Sequence, residues 1–214
     1  QPFSSSSSHI VRNVDFIVHL FPSFSTQLDS KMTEALISTT LFTATTSEQV
    51  KDALERGEDI EREEGWWAER STPLISACQR GLLEVVDSLL KHGANVFHRP
   101  PGTWSPVLWA AKKGHSDIVK RLIDAGVDVN DNHGGVGRST ALILASQEGH
   151  LDVVDCLLSL HADTEIRGEV EMTALMWACL RGRFDVVDRL LTANCDVNAV
   201  NQNNTSALMM ATQG

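Results

Sequence analysis

Pairs of aliphatic residues recur along this chain at the spacing of one helix face. One segment reads Ile118-Val-x-x-Leu-Ile, and three others read Val85-Val-x-x-Leu-Leu, Val153-Val-x-x-Leu-Leu and Val186-Val-x-x-Leu-Leu. Positions i, i+1, i+4 and i+5 lie on one stripe of an α-helix, so each segment predicts an amphipathic helix that buries this stripe against a partner. A loop such as Ala125-Gly-Val-Asp-Val-Asn follows each segment.

A second phrase precedes each aliphatic segment and fixes the period of the repeat. A hydroxyl residue returns at steps of 33, 35, 33 and 33 residues, at Thr72, Ser105, Thr140, Thr173 and Ser206. An alanine follows five residues later, and in the first four copies a glycine comes four residues after that. The hydroxyl can accept from free N–H groups at a helix start, the alanine allows close helix contact, and the glycine allows a left-handed turn. Each repeat therefore predicts a short inner helix and an antiparallel outer helix.

These residues resemble the ankyrin repeat, in which a turn and two antiparallel helices recur about every 33 residues. The resemblance implies an all-α solenoid of helix-turn-helix repeats joined by β-hairpin loops. It covers residues 65–214 as three full repeats, a fourth to about residue 204 and a truncated fifth. Residues 32–64 resemble a degenerate N-terminal capping repeat, because Val50-Lys-Asp-Ala-Leu-Glu-Arg-Gly parallels Val86-Asp-Ser-Leu-Leu-Lys-His-Gly.

Three features depart from the repeat. Residues 1–31 contain a five-serine run, and we expect them to lie outside the fold as an untranslated-region sequence, a flexible leader or, alternatively, a transit peptide. Two hairpins are longer than the repeat requires, through Gly65-Trp-Trp-Ala and the insertion Gly134-Gly-Val-Gly. Because Gly214 falls halfway through a repeat, we expect either further residues or a partner to cover the apolar end.

Charge and composition narrow the classes of function. The 18 Lys and Arg against 28 Asp and Glu give a net charge of −10, which opposes binding to nucleic acid and anionic membranes. No apolar run reaches the roughly 18 residues that span a bilayer. The four cysteines form no CxxC pair, so we expect reduced thiols in an intracellular protein. Without a catalytic motif, phosphate loop or metal-ligand spacing, we expect no enzyme activity, metal, cofactor or small-molecule substrate.

The resemblance also indicates where a partner protein would bind. In ankyrin repeats, partners commonly meet the hairpin tips and the exposed inner-helix residues just before the turn glycine. These pre-glycine positions are Gln79, Arg80, Lys112, Lys113, Gln147, Glu148, Leu180 and Arg181. Their four bases against one acid predict a basic stripe on the concave inner-helix face that complements an acidic segment of a partner. The alternative is that these charges are ordinary solvated surface.

Five tryptophans supply further candidates. Trp66, Trp67 and Trp104 fall in hairpin connections, where each either contacts a partner or folds back over the adjacent hairpin. Trp109 and Trp177 share one repeat position, and we expect them to pack between stacked inner helices.

Together these features predict a protein–protein interaction module or adaptor that grips its partner with the concave inner-helix face and hairpin tips. The alternatives are a regulatory segment of a larger enzyme whose catalytic domain lies beyond residue 214, and a structural subunit of a large complex. We expect a cytoplasmic location, with the nucleus as an alternative and an organelle only if residues 1–31 are a transit peptide.

Overall fold

A computed structural model of the chain describes residues 40–65, 70–132 and 138–212. The helices, in chain order, are α1 Thr40–Thr43, α2 Ser47–Glu55, α3 Pro73–Arg80, α4 Leu83–Lys91, α5 Pro106–Lys113, α6 Ser116–Asp124, α7 Ala141–Glu148, α8 Leu151–Ser159, α9 Ala174–Leu180, α10 Phe184–Thr192 and α11 Ala207–Ala211. A 3₁₀ helix at Glu169–Glu171 precedes α9. In these ranges, β pairing consists of two isolated bridges, Glu64 with Ser71 and Val200 with Ser206. The predicted all-α ankyrin solenoid is confirmed.

The inner helices begin at the hydroxyl residues that the repeat predicts. Four of these hydroxyls accept a hydrogen bond from the backbone N–H three residues later, at Thr72, Thr140, Thr173 and Ser206. Ser105 is different: its side chain makes no capping bond, and its φ of −64° lies outside the −82° to −95° of the other four. The predicted cap is therefore missing at Ser105, although Pro106 still fixes φ in the first turn of α5.

The turn glycines meet two separate requirements. Gly81, Gly114 and Gly149 end their helices with φ of 74°, 81° and 88°, in the left-handed region that favours glycine. A Cβ on Gly114 would also lie 2.7 Å from His150 Nδ1 of the next repeat. His150 Nε2 stands 2.9 Å from the Lys112 carbonyl oxygen, so the ring occupies the space beside the glycine and bonds to the end of α5. The glycine thus serves the contact between repeats as well as the turn.

The core lies between the inner and outer helices and continues from repeat to repeat. Each inner helix packs against its own outer helix and against the inner helices of adjacent repeats. The repeated alanines at Ala77, Ala110, Ala145 and Ala178 are buried, as expected for positions of close helix contact. Aliphatic residues of the outer helices, such as Val119 and Leu122 of α6, are fully buried. Each repeat therefore covers the apolar face of its neighbour.

The first described helix pair, α1 and α2, packs on α3 and α4. Val50 and Ala53 of α2 are fully buried, so this degenerate repeat joins the same core. Glu84 of α4 accepts hydrogen bonds from the Ser47 hydroxyl at 2.7 Å and from the Ser47 N–H at 3.2 Å. These bonds lower the pKa of Glu84. The part of the predicted first inner helix before residue 40 lies outside the described residues.

Candidate protein-binding surface

The basic stripe consists of Arg80, Lys112, Lys113 and Arg181, and it lies where inner helices end. Arg80 ends α3, the two lysines end α5, and Arg181 directly follows α9. The stripe is interrupted at α7, which lies between α5 and α9 and ends in Gln147 and Glu148 instead of cations. The residues Arg80, Lys113 and Arg181 are exposed, whereas Lys112, Gln147, Glu148 and Leu180 are half-buried. Partner binding by these residues stays a prediction.

Arg80 already has an intramolecular role. Its guanidinium donates to the carbonyl oxygens of Phe42 at 2.7 Å, Ala44 at 3.1 Å and Thr43 at 3.4 Å. These carbonyls lie at the C-terminal end of α1, where a cation is favoured by the helix dipole. Arg80 therefore fastens the degenerate repeat to α3, and a charge reversal there would disturb the fold as well as any partner contact.

Trp104 takes part in an aromatic cluster at the start of α5. Its ring meets that of Trp109 edge to face, with centroids 5.0 Å apart and planes inclined by 61°. The Lys112 Nζ lies 4.4 Å from the centroid of the Trp104 ring, within the range of a cation–π contact. Trp104 is half-buried and packs against the core, so its ring is partly engaged within its own repeat. The predicted partner residues Trp66 and Trp67 lie outside the described residues.

A second tryptophan and cation stand together two repeats further on. Trp177 is half-buried, and the Arg181 guanidinium lies 5.9 Å from its ring centroid. At the same repeat position, the intervening helix α7 carries Leu144, which is buried. Trp177 packs against the core, and Trp109, also half-buried, meets the Trp104 ring. Each of these two inner-helix tryptophans comes four residues before an exposed cation, Lys113 or Arg181.

The outer helices carry ion pairs that the sequence analysis did not identify. Arg121 of α6 reaches Asp87 of α4 with an N–O distance of 2.5 Å, and Arg189 of α10 pairs with Asp155 of α8 in the same way. Asp87 and Asp155 occupy equivalent positions of their repeats. In each case the arginine belongs to the following repeat and stands one position later in it. An alignment of the four outer helices shows this pattern. These two arginines therefore hold neighbouring repeats together and are not free surface charge.

The hairpins also carry a row of polar residues. It has two positions in each repeat, and we call its ten residues the hairpin row: Asp59, Glu61, Asn95, Phe97, Asp128, Asn130, Asp163, Glu165, Asp196 and Asn198. In every pair the first side chain accepts a hydrogen bond from the N–H of the second, at 2.8–2.9 Å. Such local bonds are typical of Asp and Asn in turns. Phe97 is the one apolar member, a departure visible when the loops are aligned.

His98, beside Phe97, connects two hairpins. Its Nδ1 lies 2.6 Å from Glu61 Oε2, and its Nε2 lies 3.0 Å from Glu63 Oε1. The hydrogen bond with Glu63, followed by the contact with Glu61, raises the pKa of His98 against the opposing effect of burial. Burial also raises the pKa of the thiols, most strongly for Cys78. These thiols are therefore weak nucleophiles at neutral pH.

Within the described ranges, no group of three or more His, Cys, Asp or Glu is placed to hold a metal ion. None of the helices in those ranges is long and apolar enough to cross a bilayer.

The stacked helix pairs, their turn glycines and the row of loops define a repeat scaffold that presents side chains along extended surfaces. The family model described as "Ankyrin repeats (3 copies)" matches residues 41–133, 98–167 and 142–214. The chain therefore belongs to the ankyrin-repeat family. Ankyrin repeats are protein-interaction modules, and proteins built from them are generally non-enzymatic.

Several curated relatives share part of this scaffold. The chain is 39% identical over 100 residues to Ankyrin repeat and KH domain-containing protein mask from Drosophila melanogaster. This match covers 47% of the chain and 2% of the relative. The chain is also 36% identical over 100 residues to Ankyrin repeat and KH domain-containing protein 1 from Homo sapiens, and this match covers 47% of the chain and 4% of the relative. Probable E3 ubiquitin-protein ligase XBOS32 from Oryza sativa subsp. japonica is 36% identical over 93 residues, 42% and 18% of the two chains. The chain spans only a small part of each.

Proposed function

We propose that the chain is a protein-binding adaptor whose inner-helix surface takes an acidic segment of a partner protein. The observation that carries the proposal is that two inner helices each carry a half-buried tryptophan four residues before an exposed cation. Lys113 and Arg181 are exposed, and Trp109 and Trp177 lie on the same inner helices. Tryptophan and arginine are the side chains most enriched at interface hot spots.

Charge supports this choice of partner. The net charge of −10 opposes phosphate backbones and anionic lipid, so a local basic stripe favours an acidic protein segment over nucleic acid or a membrane. Such complementarity contributes mainly to the association rate and to specificity. The proposal includes no catalytic role for the chain itself, and it places the protein in the cytoplasm, where the buried free thiols Cys78 and Cys195 would stay reduced.

A second candidate function is that of the ankyrin segment in a larger enzyme. The rice relative, whose name is that of a probable E3 ubiquitin-protein ligase, is matched over 18% of its length. In that case the same surface would select the substrate protein on which a separate catalytic domain acts. The complete coding sequence of the gene distinguishes the two, because only the second requires a catalytic domain in the same chain.

The test compares two double variants of the chain. Lys113→Glu with Arg181→Glu reverses the exposed part of the basic stripe, and leaves out Arg80, which holds α1. Lys91→Glu with Lys120→Glu makes the same change of net charge on exposed positions of the outer helices α4 and α6. Exposed substitutions usually change stability by about 0.5 kcal/mol or less, so both variants should fold.

The readout is quantitative affinity capture from cells, followed by mass spectrometry. We expect proteins with acidic segments to be retained by the wild type and by the outer-helix variant, and to be depleted from the stripe variant. Equal recovery of all captured proteins by the three baits would refute the assignment of the basic stripe to partner binding.

A further inference from the structure

The hairpin row forms a ladder of hydrogen bonds between repeats, and Phe97 interrupts it. Glu61 accepts from the Asn95 N–H at 2.7 Å, Asn130 from the Asp163 N–H at 2.8 Å, and Glu165 from the Asp196 N–H at 2.9 Å. Phe97 holds the same position in its repeat, facing the loop that begins at Asp128. A phenyl ring cannot accept this bond, so the ladder loses a rung there.

The ring that replaces the acceptor is left in solvent. Phe97 is 63% exposed, whereas Glu61, Asn130 and Glu165 at the same position each accept a hydrogen bond from the next repeat. An aromatic side chain at this position gives up a hydrogen bond of about 0.5–1.5 kcal/mol and gains little burial within the chain. Folding alone does not account for this residue, but contact with another molecule would.

The backbone around Phe97 is held in place. The Phe97 N–H donates to Asn95 Oδ1 at 2.9 Å, and the His98 N–H donates to the Asn95 carbonyl oxygen at 3.1 Å. On the other side, Glu61 binds both the Asn95 N–H and the His98 ring. An exposed ring on a fixed backbone loses little conformational entropy when it is buried by a partner.

The hairpin row is acidic, although Arg62, His98 and Arg99 lie within two residues of its members in the chain. Six of the ten residues of the hairpin row are Asp or Glu, and none is Lys or Arg. The basic stripe is at the opposite end of the inner helices, because α5 begins after the hairpin and ends at Lys113. At 1.5 Å per residue, the helix separates the two surfaces by roughly 12 Å. The two surfaces therefore favour segments of opposite charge.

We propose that the hairpin row around Phe97 is a second docking surface, which binds a basic segment of a partner protein with an apolar side chain packed on the Phe97 ring. The acidic residues on either side give the charge complementarity, and the phenyl ring gives the anchor. This surface is separate from the basic stripe, and its existence does not depend on the function proposed for the stripe.

The test uses the full chain in four forms, the wild type and three variants. Phe97→Asn removes the ring and introduces an amide that can accept from the Asp128 N–H, as Asn130 does from Asp163. Asp128→Asn with Asp163→Asn removes two charges and keeps the oxygen that caps each turn. Phe184→Asn is the matched control, because Phe184 is 81% exposed on α10, outside the hairpin row.

Short random peptides displayed on phage are selected on the wild type and counter-selected on Phe97→Asn, and the enriched peptides are synthesised for binding measurements. We expect Lys- and Arg-rich peptides with one large apolar residue, bound equally by the wild type and Phe184→Asn. Phe97→Asn should weaken them at least about tenfold, and the double aspartate variant should weaken them several-fold with a smaller salt dependence.

The stability of the variants separates docking from a structural role. Urea unfolding should show Phe97→Asn to be at least as stable as the wild type, because it restores the missing rung. Selection of no peptide above background, or of peptides that bind Phe97→Asn equally, would overturn the proposal. So would concentration-dependent self-association of the wild type that Phe97→Asn abolishes, since the occupant would then be a second copy of the chain.

Discussion

Replacement of Arg80 by methionine should loosen the first helix pair and leave the rest of the stack intact. Arg80 donates three hydrogen bonds to carbonyl oxygens at the end of α1, and methionine keeps an aliphatic stem but removes all three donors. Of these bonds, the one to Ala44 at 3.1 Å is partly buried, and those to Phe42 and Thr43 are exposed. Arg80→Met therefore removes three charge-assisted hydrogen bonds, one of which is partly shielded from solvent and two of which are exposed to it.

The magnitude follows from this exposure. A hydrogen bond to a charged group contributes about 1.5–3 kcal/mol, and solvent lowers the contribution of exposed ones. We expect Arg80→Met to lower the opening free energy of α1 and α2 by about 2 kcal/mol. Because repeats interact mainly with their neighbours, the change at α8 and α10 should be close to zero.

Native-state amide hydrogen exchange measures this difference helix by helix. Arg181→Met is the matched control, since Arg181 stands at the same repeat position but contacts the Trp177 ring instead of a helix end. It should lower local stability by less than about 1 kcal/mol. An equal loss of protection in all helices of Arg80→Met, or unchanged protection in α2, would refute the assigned role of Arg80.

Three further predictions follow from the same contacts. Gly114→Ala should reduce the free energy of unfolding by about 2–3 kcal/mol, and Gly93→Ala by about 1–2 kcal/mol. Both glycines have positive φ, but only Gly114 faces the ring of His150, so equal urea midpoints for the two variants would contradict this. His98 has a raised pKa in the folded chain, so its stabilising effect is present below the unfolded pKa of about 6.5 and is lost as pH rises through the folded pKa. The stability difference between wild type and His98→Gln should therefore shrink as pH rises, and a constant difference would exclude the interaction. Cys78 is fully buried and should react with an alkylating reagent only after unfolding, which peptide mass spectrometry can measure. Rapid labelling of Cys78 in the folded chain would contradict its burial.

The repeat architecture could be predicted from the sequence because its markers are local. A hydroxyl at a helix start, a glycine at a left-handed turn and an aliphatic pair at helical spacing each have a short-range physical cause, and the structure places them as expected. Ser105 shows the limit of this reasoning, since its residue type allows a cap but its hydroxyl makes no capping bond.

The surfaces were harder to predict because they depend on contacts between repeats. The sequence counts Arg80 and Lys113 as equal cations, but only the fold brings Arg80 to the carbonyls of α1. Likewise, the ion pair between Arg121 and Asp87 can be recognised only when the outer helices of successive repeats are aligned. Phe97 was detectable in principle, because one apolar residue stands in a column of Glu and Asn, yet the hydrogen-bond ladder that gives the departure its meaning is a property of the stack.

The central claim, that a partner binds across the ends of the inner helices, is tested most directly by hydrogen exchange in a complex. The most abundant protein that co-purifies with the wild-type chain is added, and protection is compared with that of the free chain. We expect new protection in the last turns of α5 and α9, around Lys113 and Arg181. Protection confined to the outer helices α4, α6, α8 and α10 would contradict it.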